Sequence, residues 1–313
     1  METGPTSGLL DAAIATTDRI PDETINSLLG KPTIIVSAPR SGSNLLFELL
    51  SRQQGIWTIG GESHAVFNAF PHLRAENAQL DSGCLGASHA DVDTCRMMRK
   101  VFLYLLRDRQ HRTLLPLRPS GIRSGVNFVE KTPRNALNIR FLRQVFPDAR
   151  FVLLHRDAKA CIASLVEAWT LGLRTGRFVT FRDLPKWDRP AWCFLLPSGW
   201  RSMIGKSLAE IAAFQWSQSN RIVADELRSL PRDRWKVISY EDLVHDPAAV
   251  QMQLCQFIDP AIQPTPIGAG MLPLSRTTLS PPHPDKWKKH RAEIEALMPS
   301  LQSTIRLLAA LPN

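Results

Sequence analysis

The sequence predicts an α/β protein with a P-loop-like, three-layer fold, in which helices flank a central, mostly parallel sheet. Three stretches, residues 31–50, 126–147 and 150–169, each combine a short apolar run, a tight turn and a helical pattern of apolar residues. Strands that alternate with helices in this way build parallel sheets. The chain has 313 residues, 44% of them hydrophobic and 21% charged, and shows no repeat or break in composition. We therefore expect a single domain over residues 1–313.

The first of these stretches has the features of an anion-binding loop. Residues 34–36 are Ile-Ile-Val, which is typical of a buried strand, and leucines at helical spacing begin at Leu45. Between them, Pro39–Ser43 forms a turn before a helix start, where backbone N–H groups and the helix dipole favour a negative charge. Gly42 permits a close approach of the backbone, and Arg40 adds a fixed positive charge.

This loop lacks the lysine that follows the glycine in a Walker A motif, G-x-x-x-x-G-K-[ST]. Taken alone, it indicates a site for a phosphate-like anion, to which the hydroxyls of Ser41 and Ser43 would also donate. The alternative is an ordinary strand–helix turn with a capping serine. The missing lysine argues against nucleotide-kinase chemistry, although a P-loop-type kinase of small molecules stays an alternative function.

Candidate acid–base residues follow the second predicted strand. Residues 56–61 indicate a short strand that ends just before Glu62 and His64. Because ligands of parallel α/β sheets bind outside the carboxyl ends of the strands, both side chains are candidates for acid–base chemistry. The plainer interpretation is a glutamate at a helix start and a histidine that only satisfies a polar contact.

The third and fourth predicted strands also end in polar residues. Val126–Val129 leads into a turn with Lys131, for which the plain interpretation is a surface lysine. Phe151–Leu154 leads to Arg156, and Ser164 lies about two turns into the following helix. Ser164 can face the same crevice as Arg156 only if this helix folds back across the strand end.

The remaining patterns complete the expected elements. Residues 170–205 are rich in proline and aromatic side chains and predict a long loop, which is either a lid over an acceptor pocket or a segment packed on the core. A fifth strand is expected over Trp235–Ser239. Helices are expected over Ser7–Ile14 and Asp22–Leu29 in an N-terminal segment, residues 1–30, and over Asn135–Phe146, Ala158–Trp169, 207–228, Asp246–Phe257 and Arg291–Leu311.

Composition limits the classes of function. The net charge of +9 is spread along the chain, which indicates a generally basic surface or an anionic ligand and argues against nucleic-acid binding. Five scattered cysteines without C-x-x-C spacing predict reduced thiols and no structural zinc. We see neither a signal-peptide pattern nor an apolar run of about 18 residues, so we expect a cytoplasmic protein without a membrane span.

Four segments together resemble the sulfotransferases that use 3′-phosphoadenosine 5′-phosphosulfate (PAPS). The resemblance covers residues 31–290 and is greatest to the broad bacterial branch of the family, which is related to tyrosyl-protein and carbohydrate sulfotransferases. The matching segments, in order, are P-R-S-G-S-N-L-L at Pro39–Leu46, the Arg-to-Ser spacing of Arg156 and Ser164, I-S-Y-E-D-L with Tyr240, and the K-W pair Lys286 and Trp287.

The resemblance implies a cofactor-binding role for each segment. Asn44 stands where the family has a second hydroxyl residue, so its contact with the sulfonate is open. The loop would bind the 5′-phosphosulfate through Pro39, Arg40, Ser41, Gly42, Ser43, Asn44 and Leu45. Arg156 and Ser164 would bind the 3′-phosphate, Tyr240 would lie beside the nucleotide, and a loop over residues 272–290 with Lys286 and Trp287 would close over it.

The resemblance also implies the reaction. A sulfonate moves from PAPS to an acceptor hydroxyl, leaving adenosine 3′,5′-bisphosphate (PAP), and no metal is required because cationic and N–H donors neutralise the charge. Lys131 would steady the developing charge, and Glu62 would be the base, with His64 as its rival. The aromatic segment favours an apolar or lipid-like alcohol, with a peptide tyrosine or a sugar as alternatives. A non-catalytic PAP-binding protein is the other alternative function, and the oligomeric state is unknown.

Overall fold

The computed structural model describes residues 7–74, 81–115, 125–267, 274–275, 277–279 and 283–312. Residues 1–6 of the predicted N-terminal segment, and residues 272–273, 276 and 280–282 of the predicted closing loop, lie outside the described residues. The single-domain organisation of the whole chain stays a prediction.

A parallel five-stranded sheet lies at the centre, as the sequence predicts. The strand order is β2-β3-β1-β4-β7, and every neighbouring pair is parallel. The strands are β1 (Thr33–Val36), β2 (Ile56–Trp57), β3 (Asn127–Lys131), β4 (Arg150–His155) and β7 (Trp235–Ser239). The second and third strands differ from their expected bounds by a few residues, while the first, fourth and fifth contain the predicted ones.

Alternate residues of each strand enter two separate apolar cores, which produces the three layers. Ile34 and Val36 of β1 belong to the larger core, whereas Ile35 between them belongs to the core on the other face. A strand buried on both faces reads as a continuous apolar run, and residues 34–36 are such a run.

Helices cover both faces of the sheet. The smaller core is closed by α3 (Ser43–Ser51), α9 (Tyr240–His245) and α10 (Pro247–Ile258). Among the described residues, no helix combines the length and apolar character needed to cross a membrane. The other helices are α1 (Ser7–Thr17), α2 (Asp22–Leu29), α4 (His64–Asn68), α5 (Val92–Leu105), α6 (Ile139–Val145), α7 (Ala158–Thr175), α8 (Leu208–Arg228) and α11 (Arg291–Ala309).

The segment 170–205 is not the structureless loop that the sequence suggested. Helix α7 continues to Thr175, and β5 (Val179–Arg182) pairs antiparallel with β6 (Ala191–Cys193). The rings of Trp169 and Trp192 meet edge to face at 5.3 Å in a separate aromatic core beneath this hairpin. This packing stabilises two short strands in a segment whose prolines favoured a loop in the sequence analysis.

The helix expected over Asn135–Phe146 is interrupted. Pro133–Leu137 forms a 3₁₀-helix, and α6 begins only at Ile139. The break lies at Asn138, whose φ of −125° and ψ of 22° are not helical. Its side-chain oxygen accepts a 2.9 Å hydrogen bond from the Leu85 N–H, so a contact distant in sequence replaces the helical continuation.

Candidate active site

The carboxyl ends of the five parallel strands bring the predicted site residues to one edge of the sheet. Arg40 follows β1, Glu62 follows β2, Lys131 ends β3, Arg156 follows β4 and Tyr240 follows β7. The strand order places Glu62 and Lys131 on one side of β1, and Arg156 and Tyr240 on the other. The acid–base candidates and the nucleotide-binding candidates therefore occupy opposite halves of the same edge.

A cavity of about 990 Å³ opens along this edge. Lys131 and Ser41 are buried and do not line the cavity, although Lys131 contacts two residues that do. The other predicted site residues all line it: Pro39, Arg40, Gly42, Ser43, Asn44, Leu45, Glu62, His64, Arg156, Ser164, Tyr240, Lys286 and Trp287.

The loop after β1 has a backbone that most residues avoid. Gly42 caps α3 with a φ of 96°, and a Cβ atom there would lie 2.4 Å from Cδ2 of Tyr240. Arg40 also has a positive φ, 69°, which for a residue other than glycine is a strained conformation often found at ligand sites. Ser41 differs from the expectation, because its hydroxyl lies 3.6 Å from the Cys161 sulfur in the protein interior.

The two arginines share one wall of the cavity, and each has hydrogen-bond partners there. Arg40 Nε donates to the Ser164 hydroxyl at 3.3 Å, and Arg40 Nη1 donates to the Thr277 carbonyl at 3.0 Å. Arg156 Nη1 donates to the Arg40 carbonyl at 3.2 Å, and its guanidinium lies 4.4 Å from the centre of the Tyr240 ring. Ser164 is thus paired with Arg40 and not with Arg156.

Positive charge accumulates at this wall of the cavity. Burial lowers the pKa of Arg40, and repulsion from Arg156 and Arg177 adds to this effect. Within the described part of the chain, neither Arg40 nor Arg156 forms a salt bridge with a carboxylate. The Nε atom of Arg156 is buried and has no hydrogen-bond partner among these residues. An anion in the cavity would relieve the repulsion between these guanidinium groups.

A second group of ionisable residues occupies the β2–β3 half of the edge. Lys131 Nζ donates to Glu62 Oε1 and to Asn44 Oδ1, and His64 Nε2 lies 3.1 Å from Glu62 Oε2. Burial alone would raise the pKa of Glu62, but the hydrogen bond with His64 and the charge and hydrogen bond of Lys131 outweigh it and lower the pKa to about 2. Glu62 is therefore a carboxylate held by a buried ammonium group.

Asn44, the departure from the family's loop, connects the two halves. Its side-chain NH₂ donates to the Thr277 hydroxyl at 2.6 Å, while its oxygen accepts from Lys131. A serine or threonine hydroxyl is shorter than this amide and has a single donor. The amide thus joins the C-terminal segment to the lysine of the ionisable group.

The predicted K-W element lies at the cavity in a 3₁₀-helix, Pro284–His290. Lys286 Nζ forms a 2.6 Å ion pair with Glu167, and the Trp287 ring receives Lys159 Nζ at 4.5 Å. Both side chains therefore attach this segment to α7.

The sequence profile of the Sulfotransferase family matches residues 32–264. The chain belongs to the sulfotransferase family. It is an enzyme of the kind that transfers sulfonyl groups. No curated protein sequence is a significant match to this chain.

Several solved sulfotransferase structures resemble this sulfotransferase at low sequence identity. The sulfotransferase domain from the curacin biosynthetic pathway is 21% identical, with a TM-score of 0.42 and coverage of 78% of this chain and 77% of its own. The enzyme of Alicyclobacillus acidocaldarius is 16% identical, with a TM-score of 0.41 and coverage of 86% and 96%. One from Mycobacterium tuberculosis is 15% identical, with a TM-score of 0.48 and coverage of 97% and 82%.

Some residues of the site carry no signal in the sequence. Thr277 contacts both Arg40 and Asn44, and Phe178 lies under the Arg40 guanidinium at 5.5 Å. Glu130 is buried directly before Lys131 in the chain. A threonine, a phenylalanine and a glutamate outside any motif become recognisable only when distant segments meet.

Apolar side chains form much of the remaining cavity wall. The rings of Phe178 and Phe194 stack with centres 5.1 Å apart, and both residues have a positive φ, 68° and 64°. The wall also includes Leu137, Phe181, Leu195 and Leu196. Such a wall suits an apolar group on the bound molecule.

Proposed function

We propose that this sulfotransferase moves a sulfonate group from PAPS to a hydroxyl of an acceptor and releases PAP. The observation that carries the proposal is the pair of arginines, Arg40 and Arg156. They lack carboxylate partners within the described part of the chain and share a cavity with Glu62, which is paired with the buried Lys131. PAPS carries anionic groups at both ends of a nucleoside, and this cavity offers cationic groups along its length.

The residues fit the cofactor by their chemistry. Arg156 and the Arg40–Ser164 pair supply donors for the 3′-phosphate. The first-turn N–H groups of α3 supply donors for the 5′-phosphosulfate, and Gly42 lets the loop backbone approach it. Tyr240 positions Arg156 by stacking under its guanidinium.

Within the bound complex, PAPS supplies an activated sulfonate, and the acceptor oxygen forms the new S–O bond as the bond to the 5′-phosphate oxygen breaks. Glu62 takes the proton of the acceptor hydroxyl, and His64 is the rival base. Lys131 can hold either Glu62 or an anion. An anion that drew Lys131 away would remove much of the charge that lowers the pKa of Glu62, and the carboxylate would become a stronger base.

The proposal also covers the metal requirement, the class of acceptor and the location of the protein. Lys131, the arginines and backbone donors neutralise the charge, so the proposed reaction includes no metal. The apolar wall favours an apolar or lipid-like hydroxyl acceptor, and transfer assays decide between this acceptor and the alternatives of a peptide tyrosine or a sugar. The expected location of the protein is the cytoplasm.

The proposal is tested by PAP binding to the purified protein, measured by isothermal titration calorimetry. Arg156→Ala should weaken binding about 10- to 100-fold, the value of one or two charge-assisted hydrogen bonds. Arg140→Ala is the matched control, because it removes one positive charge from a surface ion pair with Glu226. The proposal fails if wild-type protein ignores PAP, or if both variants lose affinity equally.

A second arm separates the alternative functions. Stabilisation by ATP with Mg²⁺, without stabilisation by PAP, would indicate a kinase. PAP binding without sulfonate transfer from PAPS to a broad panel of alcohols, phenols, tyrosine peptides and sugars would indicate a non-catalytic PAP-binding protein.

A further inference from the structure

A buried carboxylate lies beside the ionisable group and has no part in the reaction described above. Glu130 is 2% exposed and directly precedes Lys131. Its Oε1 atom accepts hydrogen bonds of 2.6 Å from the hydroxyls of both Ser63 and Thr132, and its Oε2 atom accepts from Asn135 Nδ2. A carboxylate buried at this depth is costly unless donors surround it, as they do here.

The partners of Glu130 belong to the two segments that carry the acid–base candidates. Ser63 lies between Glu62 and His64, and Thr132 follows Lys131. The Ser63 N–H also donates to the Thr132 hydroxyl at 2.7 Å, and the two hydroxyls are 2.9 Å apart. The Glu130 cluster, defined as Glu130, Ser63, Thr132 and Asn135, therefore joins segments 67 residues apart in sequence.

Water cannot easily replace any of these contacts. Ser63, Thr132 and Asn135 are each 0% exposed. Removal of the carboxylate would leave buried hydroxyl and amide donors without an acceptor, and the segments would have to move to satisfy them.

We propose that Glu130 is a positioning residue that fixes the Glu62–His64 segment against the end of β3 and so keeps Glu62 in contact with Lys131. The inference deepens the proposed function and rests on it for its catalytic consequence. The structural consequence, the Glu62–Lys131 contact itself, can be measured without donor or acceptor.

Two substitutions separate the effect of the Glu130 hydrogen bonds from the effect of its charge. Glu130→Gln keeps one oxygen for the hydroxyls of Ser63 and Thr132. The Asn135 Oδ1 atom is buried and unpartnered among the described residues, so rotation of this amide would accept the new NH₂ group. Glu130→Ala removes every acceptor. We therefore expect the glutamine variant to retain the position of Glu62 and the alanine variant to lose it.

The first test is the titration of the Glu62 side-chain carboxyl by ¹³C NMR, with Glu62→Gln used to assign the signal. In Glu130→Ala, loss of the contact with Lys131 should raise the pKa of Glu62 from about 2 towards its ordinary value of 4.5. Burial raises the pKa of Glu130, so its charge has little effect on Glu62, and loss of whatever negative charge it carries could only lower the pKa of Glu62. A rise can therefore report only the loss of position.

Three variants complete the design. Glu130→Gln should show no rise. Glu226→Ala is the matched control, since it removes another buried carboxylate that pairs with Arg140 away from this cluster. Should Glu130→Ala fail to fold, Ser63→Ala removes one hydroxyl and should give a smaller rise. The proposal is wrong if no folded variant of the cluster raises the pKa, or if the glutamine and alanine variants raise it equally.

Steady-state kinetics with PAPS and an accepted alcohol or phenol supply the second test. Misplacement of the base by about 1 Å costs on the order of 10²-fold in rate, so kcat of Glu130→Ala should fall by that factor while KM for PAPS stays within about threefold. Glu130→Gln should recover most of kcat. If wild-type protein does not bind PAP, the proposed function fails while the NMR result still decides the role of Glu130.

Discussion

Replacement of Gly42 by alanine tests whether the loop after β1 needs glycine for its backbone conformation and its close contact with Tyr240. Alanine would have to adopt a φ of 96°, which costs about 1–2 kcal/mol, and its Cβ would overlap the Tyr240 ring at 2.4 Å. Overlap in a packed site costs a further 1–3 kcal/mol or so. The free energy of unfolding should therefore fall by roughly 2–5 kcal/mol, which corresponds to about 3–8 °C in Tm.

Gly55 provides a matched control. It has a φ of 83°, but no atom lies within 4 Å of the Cβ position. Gly55→Ala should therefore carry the backbone cost alone, about 1–2 kcal/mol. Thermal and urea unfolding measure both variants. Gly42→Ala should also weaken PAP binding at least about tenfold, because the displaced Tyr240 ring supports Arg156.

Equal destabilisation by the two substitutions would refute the reasoning, because it would show that the contact between Gly42 and Tyr240 carries no cost. Retention of full PAP affinity in a destabilised Gly42→Ala protein would show that the conformation of this loop and the position of the Tyr240 ring do not contribute to nucleotide binding.

The remaining predictions concern the ionisable group. Because the pKa of Glu62 is lowered from 4.5 to about 2, its ion pair stabilises the fold fully above pH 4.5 and loses this effect as the pH falls towards 2. The difference in urea midpoint between wild type and Glu62→Gln should close over that range, and a difference unchanged at pH 2 would contradict the assignment. Asn44→Asp places a second carboxylate beside Lys131 and should weaken PAP binding about tenfold by like-charge repulsion, whereas Asn44→Ser should stay within about threefold. Calorimetry with PAP measures both, and equal affinity of the two variants would count against this account of Asn44.

The sheet and the location of the site could be predicted because both depend on local patterns. Each unit of strand, turn and helix has a recognisable apolar pattern in the sequence, and parallel strands place their carboxyl ends at the same edge of the sheet. Arg40 and Arg156 meet for this reason, since β1 and β4 are neighbours. Ser164 lines the cavity, which the sequence left conditional on the path of its helix, and the sequence gives no indication that Ser164 pairs with Arg40.

Where the prediction failed, contacts distant in sequence overrode the local pattern. The hairpin within residues 170–205 depends on the aromatic core around Trp169 and Trp192, and the helix break at Asn138 depends on Leu85. Glu130 resembles any other glutamate in the sequence, because its partner Ser63 lies 67 residues away. Positions of this kind require the tertiary structure.

A crystal structure of the complex with PAP tests the central claim most directly. The account predicts one PAP molecule along the sheet edge, with its 3′-phosphate within hydrogen-bond distance of Arg156 and its 5′-phosphate at the first turn of α3. PAP bound elsewhere, or with neither phosphate near Arg40 or Arg156, would contradict it.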